Sequence, residues 1–441
     1  MGLGLHGGGL ASARYCAEHG AQVTVTDLKS ESELASSIKQ LNGLPIRFVL
    51  GEHREEDFKN CDLVVKNPAI PRTASLLQLA STIETDISIF LQSHTGPVIA
   101  VTGSKGKSTT ASAIHWGLKK RYPQALLGGN ITTSPLSFPA GHEGAPVVLE
   151  LSSFQLGDLL LTSSWQNGWR FSPDIAVLTN IMQDHQDYYP DMQRYIDDKL
   201  LICTNQKSDS YLIIPHTDGD NKQFAQNAGG NVTSLSEIQD QAEQLLPPTP
   251  EYKGPQINLL VAAIVLQKFG MEPATIQKAL TDFRGIPHRM EHIGSFNGLS
   301  IINDTAATIP PAVATTVQSL NSDVFLIAGG ADKNLDIEPF IEIHRHCKKI
   351  FFLDGSASER IMKLYAAKKM PYQGPFSSLE VAFSAAAIQA LANDSAATIV
   401  LSPGAASFNM FKNEFDRGEQ FRKIAKAWLA KNLKNQTADI Q

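Results

Sequence analysis

Short apolar runs rich in valine, isoleucine and leucine alternate along the chain with segments whose apolar positions recur every three or four residues. A continuous apolar run fits a strand buried on both faces, and the three-to-four spacing fits an amphipathic helix. The alternation therefore predicts an α/β protein built on parallel sheets. Strands are expected at residues 23–26, 47–50 and 62–65, then at 98–101, 147–149 and 175–178, and finally at 300–302, 324–328, 350–353 and 398–401. Segment 257–269 reads as a helix, whereas 215–255 is looser and polar and contains LLPPTPEYKGP. The polar tail after Ala430 is expected to fray. A Gly-Pro break near Ser93 and a second break near Gly285 divide the chain into three expected domains, residues 1–93, 94–285 and 286–441.

A length of 441 residues agrees with several cores rather than one. The composition, 42% apolar and 19% charged, is that of an ordinary globular protein. A net charge of −6 provides no general basic field, so no nucleic-acid partner is expected. No apolar run approaches a membrane span, and the start lacks a basic stretch followed by an apolar core. The expectation is a cytoplasmic protein without membrane association. Cys16, Cys61, Cys203 and Cys347 are scattered without metal-type spacing and read as reduced thiols.

The chain opens MGLGLHGGG, in which Gly2-x-Gly4-x-x-Gly7 followed by Asp27 matches a dinucleotide-binding fingerprint. Only Met1 precedes the first glycine, although such a turn normally leaves the end of a buried strand. A start assigned too late, a truncated sequence or a trimmed domain would account for this, and the first is the expectation.

The sharpest signal is VIAVTGSKGKSTTASAI. A β-branched run enters Gly103, Ser104, Lys105, Gly106, Lys107, Ser108 and Thr109, and a small-residue helix leaves them. Glycines let backbone N–H groups wrap a phosphate, Lys107 meets its charge, Ser108 reaches Mg²⁺ and the helix N-terminus faces the anion. Val101 stands where the strict phosphate-loop pattern has its first glycine. Glu150 closes another apolar run, and Asn180, Asp184 and His185 follow a third. Ligands gather at the carboxyl edge of such sheets, so these residues point to one site for ATP and a divalent metal. Lys199 shares the apolar helical face of Ile196, Leu200 and Cys203. Snorkelling to water is the default on spacing alone, and a functional lysine in a partly dry site is the alternative.

Five blocks, TGSKGKSTT, GGNI at 128–131, LELSSFQL at 149–156, PHRME and LSPGAASFNMFKNEFDRG, stand in one order along the chain. They resemble the Mur ligases, the ATP-dependent amide-forming enzymes of peptidoglycan precursor synthesis, and within them the branch that adds D-glutamate to UDP-N-acetylmuramoyl-L-alanine. The resemblance implies a Rossmann-like N-terminal sheet, a central P-loop-type ATPase domain and a C-terminal Rossmann-like α/β domain. It implies UDP, rather than a nicotinamide cofactor, at Leu5, His6, Gly7, Asp27, Leu28, Lys29 and Asn67. ATP would lie on the glycine loop, with Gln256, Arg289 and Asp304 as further nucleotide contacts. One Mg²⁺ would be held by Ser108 and Glu150, and a second by His185 and a carbamylated Lys199. Lys107, Asn130, His185 and Lys199 would carry catalysis through an acyl phosphate. Thr308, Lys333, Ser407 and Phe415 would hold the incoming glutamate, and a monomer is expected.

Departures cluster around the amino-acid pocket. Ala306 replaces a common lysine, Pro310-Pro311 stiffens the next turn, and Glu414-Phe415 shifts an aromatic residue. Pro255-Gln256 stands where a His-Asn pair is frequent. Ligation of L-glutamate therefore stays open, as does another member of the superfamily such as a folylpolyglutamate synthase. A nicotinamide-dependent dehydrogenase rests on the opening glycines alone. A non-catalytic nucleotide-binding protein conflicts with the presence of Lys107, Glu150, His185 and Lys199 together.

Overall fold

The computed structural model describes residues 1–438 apart from 5–6, 132, 183–184, 186–187, 249–251, 253, 333–334 and 409. Two compact units result, residues 1–250 with 255–283, and residues 251–254 with 284–441. The first 93 residues do not separate from the segment after them. Lys66 pairs with Asp158, Arg72 with Asp198, and the Asp86 carboxylate accepts from Ser134 Oγ at 2.7 Å.

The first unit begins with two parallel pairs, β1 (Val23–Asp27) with β2 (Ile46–Leu50), and β3 (Val64–Val65) with β4 (Ile83–Glu84). Its main sheet is six-stranded and wholly parallel. The strands are β5 (Val98–Thr102), β6 (Leu126–Gly129), β7 (Val147–Glu150), β8 (Ile175–Leu178), β9 (Tyr211–Ile214) and β10 (Asn231–Ser234), in the order β10-β9-β8-β5-β7-β6. β5, β7 and β8 are buried along their whole length, as their unbroken apolar runs require. The helix Lys107–Lys119 follows β5 and packs on the helix Ile257–Lys268. A Cβ on Gly117 would overlap Leu266, so the glycine sets how closely these helices approach.

The second unit holds β11 (Glu291–Phe296), β12 (Leu299–Asn303), β13 (Asp323–Ala328), β14 (Lys349–Leu353), β15 (Gln373–Phe376) and β16 (Ala397–Leu401), in the order β11-β12-β16-β13-β14-β15. Only β11 runs antiparallel within that sheet. Two apolar layers cover its faces, one around Phe325, Phe351, Phe383 and Phe421, the other around Leu326, Phe340, Phe352 and Tyr365.

Two expectations need correction. The polar stretch 215–255 is not loose throughout, because β10 and the helix Asn221–Asn227 lie within it. The tail does not fray at Ala430: the helix Glu414–Ala438 continues through it, anchored upstream by buried Phe421, Ala425 and Leu429. Among the described residues no helix is long and apolar enough to cross a membrane, and the four cysteines form no disulfide.

Candidate active site

The carboxyl ends of β5, β7 and β8 lie side by side, with Val101 level with both Glu150 and Val177. The loops that leave these three strands therefore meet at one rim. Gly103 has φ 139° and Gly106 φ 81°. A Cβ on Gly103 would overlap Thr179 Oγ1, and one on Gly106 would stand 2.8 Å from Asn258 Oδ1. Both are positions where only glycine fits.

The loop after β8 braces the glycine loop. Ser104 N–H donates to Asn180 O (2.9 Å), Lys105 N–H to Asn180 Oδ1 (2.9 Å), and Asn180 Nδ2 and Thr179 Oγ1 donate back to Lys105 O (3.0 and 2.6 Å). Ser104 Oγ donates to Met182 O at 2.9 Å and lies 2.9 Å from the Tyr195 hydroxyl. Lys107 Nζ donates to Gly103 O and Ser104 O, both at 2.9 Å, so a phosphate would compete with these carbonyls for the ammonium. Ser108 and Thr109 are half-buried in the first helical turn, and Lys105 is exposed.

Glu150 is 1% exposed. Its Oε1 accepts from Asn130 Nδ2 at 3.0 Å, while Oε2 is buried with no hydrogen-bond partner. A buried carboxylate oxygen left unpaired is costly, and a cation beside it removes the cost. The carboxylate oxygen of Glu150 and the hydroxyl of Ser108 are donors of the type a hard divalent ion takes. Among the described residues, no three His, Cys, Asp or Glu side chains cluster closely enough to hold a metal by themselves. His185 sits at φ 54° with its ring 4.8 Å from Phe154. Asp184 lies outside the described residues.

Lys199 does not snorkel. It is 1% exposed, and its Nζ donates to Gly103 O at 3.0 Å and Thr102 Oγ1 at 3.4 Å, above the Tyr195 ring at 4.6 Å. Spacing placed it on an apolar face, and the partners that make burial tolerable come from β5 and the glycine loop. Its neighbour Asp198 is anchored by Arg72 and by the Tyr189 hydroxyl at 2.8 Å. Gly157 makes that arrangement feasible, since a Cβ there would overlap the Asp198 carboxylate.

Three contributors were missed from sequence. Thr179 precedes the noted Asn180 and shares its bracing role. Tyr195 lies under both Ser104 and Lys199. Asn258 is buried beside Gly106 and accepts from Thr110 Oγ1 at 3.2 Å. Its signal was available as the one polar residue in the otherwise apolar run INLLVAAIVL. Gln256 is exposed at the N-cap of the same helix.

At the opening turn, Gly2, Gly4 and Gly7 all have positive φ. The buried Asp27 carboxylate accepts from Gly4 N–H (3.0 Å) and Lys29 N–H (2.9 Å), tying the turn to the end of β1. Leu28 and Lys29 are exposed, and Asn67 Oδ1 accepts from Ala69 N–H at 3.0 Å. Leu5 and His6 lie outside the described residues.

In the second unit, Asp304 follows β12 and is 5% exposed. Its oxygens accept from Met290 N–H (3.1 Å), Thr316 Oγ1 (2.5 Å) and Ser402 Oγ (2.8 Å), and burial raises its pKa above the usual carboxylate range. It braces the segment carrying Arg289, which is exposed. Ser407 is buried and its Oγ has no hydrogen-bond partner, an unfilled polar position on the loop after β16. Thr308 is half-buried and Phe415 half-exposed. Lys333 lies outside the described residues.

A glycine loop, a buried carboxylate and a buried lysine at one parallel-sheet rim define a nucleotide-handling domain, and sequence comparison gives its class. The Mur ligase middle domain profile matches residues 101–252, and the Mur ligase MurD-like N-terminal domain profile matches residues 1–89. The chain belongs to the Mur ligase family. Its full-length relatives include the UDP-N-acetylmuramoylalanine--D-glutamate ligases of Treponema pallidum (strain Nichols), 35% identical, and Borreliella afzelii (strain PKo), 39% identical, each aligned over 96% of both chains. The fold is also that of the UDP-N-acetylmuramate-alanine ligase MurC from Thermotoga maritima, with a TM-score of 0.56 at 18% identity over 97% of this chain and 98% of that one.

Proposed function

We propose that the protein joins D-glutamate to UDP-N-acetylmuramoyl-L-alanine with consumption of ATP, in the synthesis of peptidoglycan precursors. The reading is carried by full-length similarity to D-glutamate ligases together with the orphaned Glu150 oxygen beside a glycine loop. ATP lies on residues 103–109, where loop N–H groups and Lys107 take the phosphate charge. The substrate carboxylate attacks the γ-phosphoryl group, giving an acyl phosphate and ADP. The amino group of glutamate then attacks the acyl carbon, and phosphate leaves. Positioning and charge neutralisation account for most of such catalysis.

Ser108, Glu150, His185 and a carbamylated Lys199 would hold Mg²⁺ at two sites, which when bound neutralises charge on the transferring phosphoryl group. Asn130, bonded to Glu150, orients that carboxylate and faces the substrate acid. Ser407, Thr308 and Lys333 take the carboxylates of glutamate beside Phe415. Asp27, Leu28, Lys29 and Asn67, with Leu5, His6 and Gly7, take UDP. Arg289, Gln256 and the segment braced by Asp304 contribute to nucleotide binding.

Purified protein supplied with ATP, Mg²⁺ and UDP-N-acetylmuramoyl-L-alanine should release phosphate only when D-glutamate is added. Release with L-glutamate alone would assign it to the L-glutamate branch, and nicotinamide reduction without phosphate release would end the ligase reading.

Gly103→Ala should weaken ADP binding at least about tenfold and cost about 1–3 kcal/mol of stability, because φ 139° disfavours any side chain and the added methyl overlaps Thr179. Calorimetric titration with ADP and urea unfolding read the two effects separately.

A further inference from the structure

Arg417, in the first turn of the helix Glu414–Ala438, is the bulkiest of the side chains that are fully enclosed among the described residues, at 0% exposure. Every group it bonds is uncharged. Its Nε donates to Thr305 Oγ1 (2.9 Å), Nη2 to Thr305 O (3.2 Å) and Ala405 O (3.3 Å), and Nη1 to Ala405 O (3.3 Å). Among the described residues no ion pair reaches it, in contrast to Arg422 further along the same helix, which meets Glu291 and Glu419. Carbonyl and hydroxyl dipoles solvate such a guanidinium but do not cancel its charge. Burial pulls its pKa down to about 10 against the weak pull of Glu414, which leaves it charged at neutral pH.

Its position decides where that charge acts. Thr305 belongs to the segment that leaves β12 and Ala405 to the loop that leaves β16, two adjacent parallel strands whose last residues, Asn303 and Leu401, lie level. Ser402 Oγ donating to Asp304 (2.8 Å) and Gly404 N–H donating to Ala307 O (2.8 Å) join the same two segments. A Cβ on Gly418 would overlap His288 Nδ1 and Thr305 Cγ2, so the start of the helix is seated directly on the first segment. The acid in this frame, Asp304, spends its oxygens on Met290 N–H, Thr316 and Ser402, and makes no bond to the guanidinium. The two segments run on to Thr308 and Ser407, assigned above to the incoming amino acid. Ser407 is 2% exposed and its Oγ has no hydrogen-bond partner, so the loop that the arginine braces also encloses an unused donor.

We propose that Arg417 is a specificity-determining residue for the added amino acid: its uncompensated charge, lodged between these two segments, favours an anionic side chain at Ser407 and disfavours a neutral one of the same shape. The inference deepens the ligase reading and rests on it. Fully enclosed, Arg417 does not contact the amino acid. It acts through its field, which a buried charge projects further than one in water, and through the placement of Thr308 and Ser407. The side-chain charge is the same for either hand of glutamate, so the inference is independent of which hand is joined.

The test measures phosphate release by the full-length protein with saturating ATP and UDP-N-acetylmuramoyl-L-alanine, using glutamate of the hand it ligates and glutamine of the same hand. Glutamine keeps the length and shape and loses the charge. Arg417→Met should lower the glutamate-to-glutamine ratio of kcat/KM at least about tenfold, through a higher KM for glutamate, while the KM for ATP stays within about twofold. Arg417→Gln, which retains amide donors for Thr305 and Ala405, should lower the ratio as far, and carries the same reading where the methionine variant fails to fold. Arg417→Lys disturbs the planar bonding but keeps the charge, and should hold the ratio within about threefold of the parent. A merely structural arginine would reduce turnover of both amino acids alike in every variant. That unmoved ratio, or a tenfold fall in Arg417→Lys, overturns the inference while the parent's activity upholds the ligase reading. A parent silent with both amino acids ends the ligase reading and this inference together.

Discussion

Lys199→Ala should reduce ligation at least about a thousandfold while the protein still folds and still binds ADP. The side chain is enclosed by Thr102, Gly103 and Tyr195, where no water-exposed role is open to it. Its loss leaves Gly103 O still accepting from Lys107, so the structural cost stays near about 1–3 kcal/mol. If the amine works as a carbamate, formate or acetate should restore part of the variant's turnover by placing a carboxylate in the space left. Removing dissolved CO₂ should slow the unmodified enzyme, with recovery on adding bicarbonate. Steady-state phosphate release reads each of these. Unchanged turnover in Lys199→Ala would reduce the residue to a structural cation.

The largest loss of stability is expected at the other buried lysine. Lys66 and Asp158 pair with side chains 0% and 1% exposed, and Asp158 Oδ1 has no further partner. Burial pushes the Lys66 ammonium down and the Asp158 carboxyl up to about 6, so each depends on the other to stay charged. Lys66→Ala should cost about 3–5 kcal/mol, because it strands the carboxylate. Lys66→Met with Asp158→Leu should cost clearly less, because no charge is then left buried. Urea midpoints at constant slope measure both. The pH dependence fixes the cause. With Lys66 gone, the folded carboxyl holds its proton more tightly than the unfolded one, whose pKa is about 3.8. The variant should therefore lose stability as pH climbs from about 4 through 6 and beyond. A loss independent of pH would point to packing alone.

The strands legible in the sequence are chiefly interior ones, where both faces are buried and the apolar run is continuous: β5, β7, β8, β12, β13, β14 and β16. The unread strands include β6, β10, β11 and β15, which are the four edges of the two six-stranded sheets. An edge has one partner and more solvent, so LLGG, NVTS, EHIGSF and QGPF carry glycine, proline or polar residues and no apolar signature. The glycine loop was legible because its chemistry is local. The roles of Asn258 and Tyr195 were not, because they arise only when helices distant in sequence pack beside that loop. Lys199 illustrates both sides: its helical face could be read, its bonding partners could not.

Gly157 ties two parts of the chain into one evolutionary unit. While an acid stands at 198, any side chain at 157 collides with it, and Arg72 holds that acid in place. Descendants should therefore change these positions in concert: a lineage that acquires bulk at 157 must first shorten residue 198, and the arginine then loses its counterion. Positions 72, 157 and 198 are expected to drift together across homologues, even where the lysine beside them never varies.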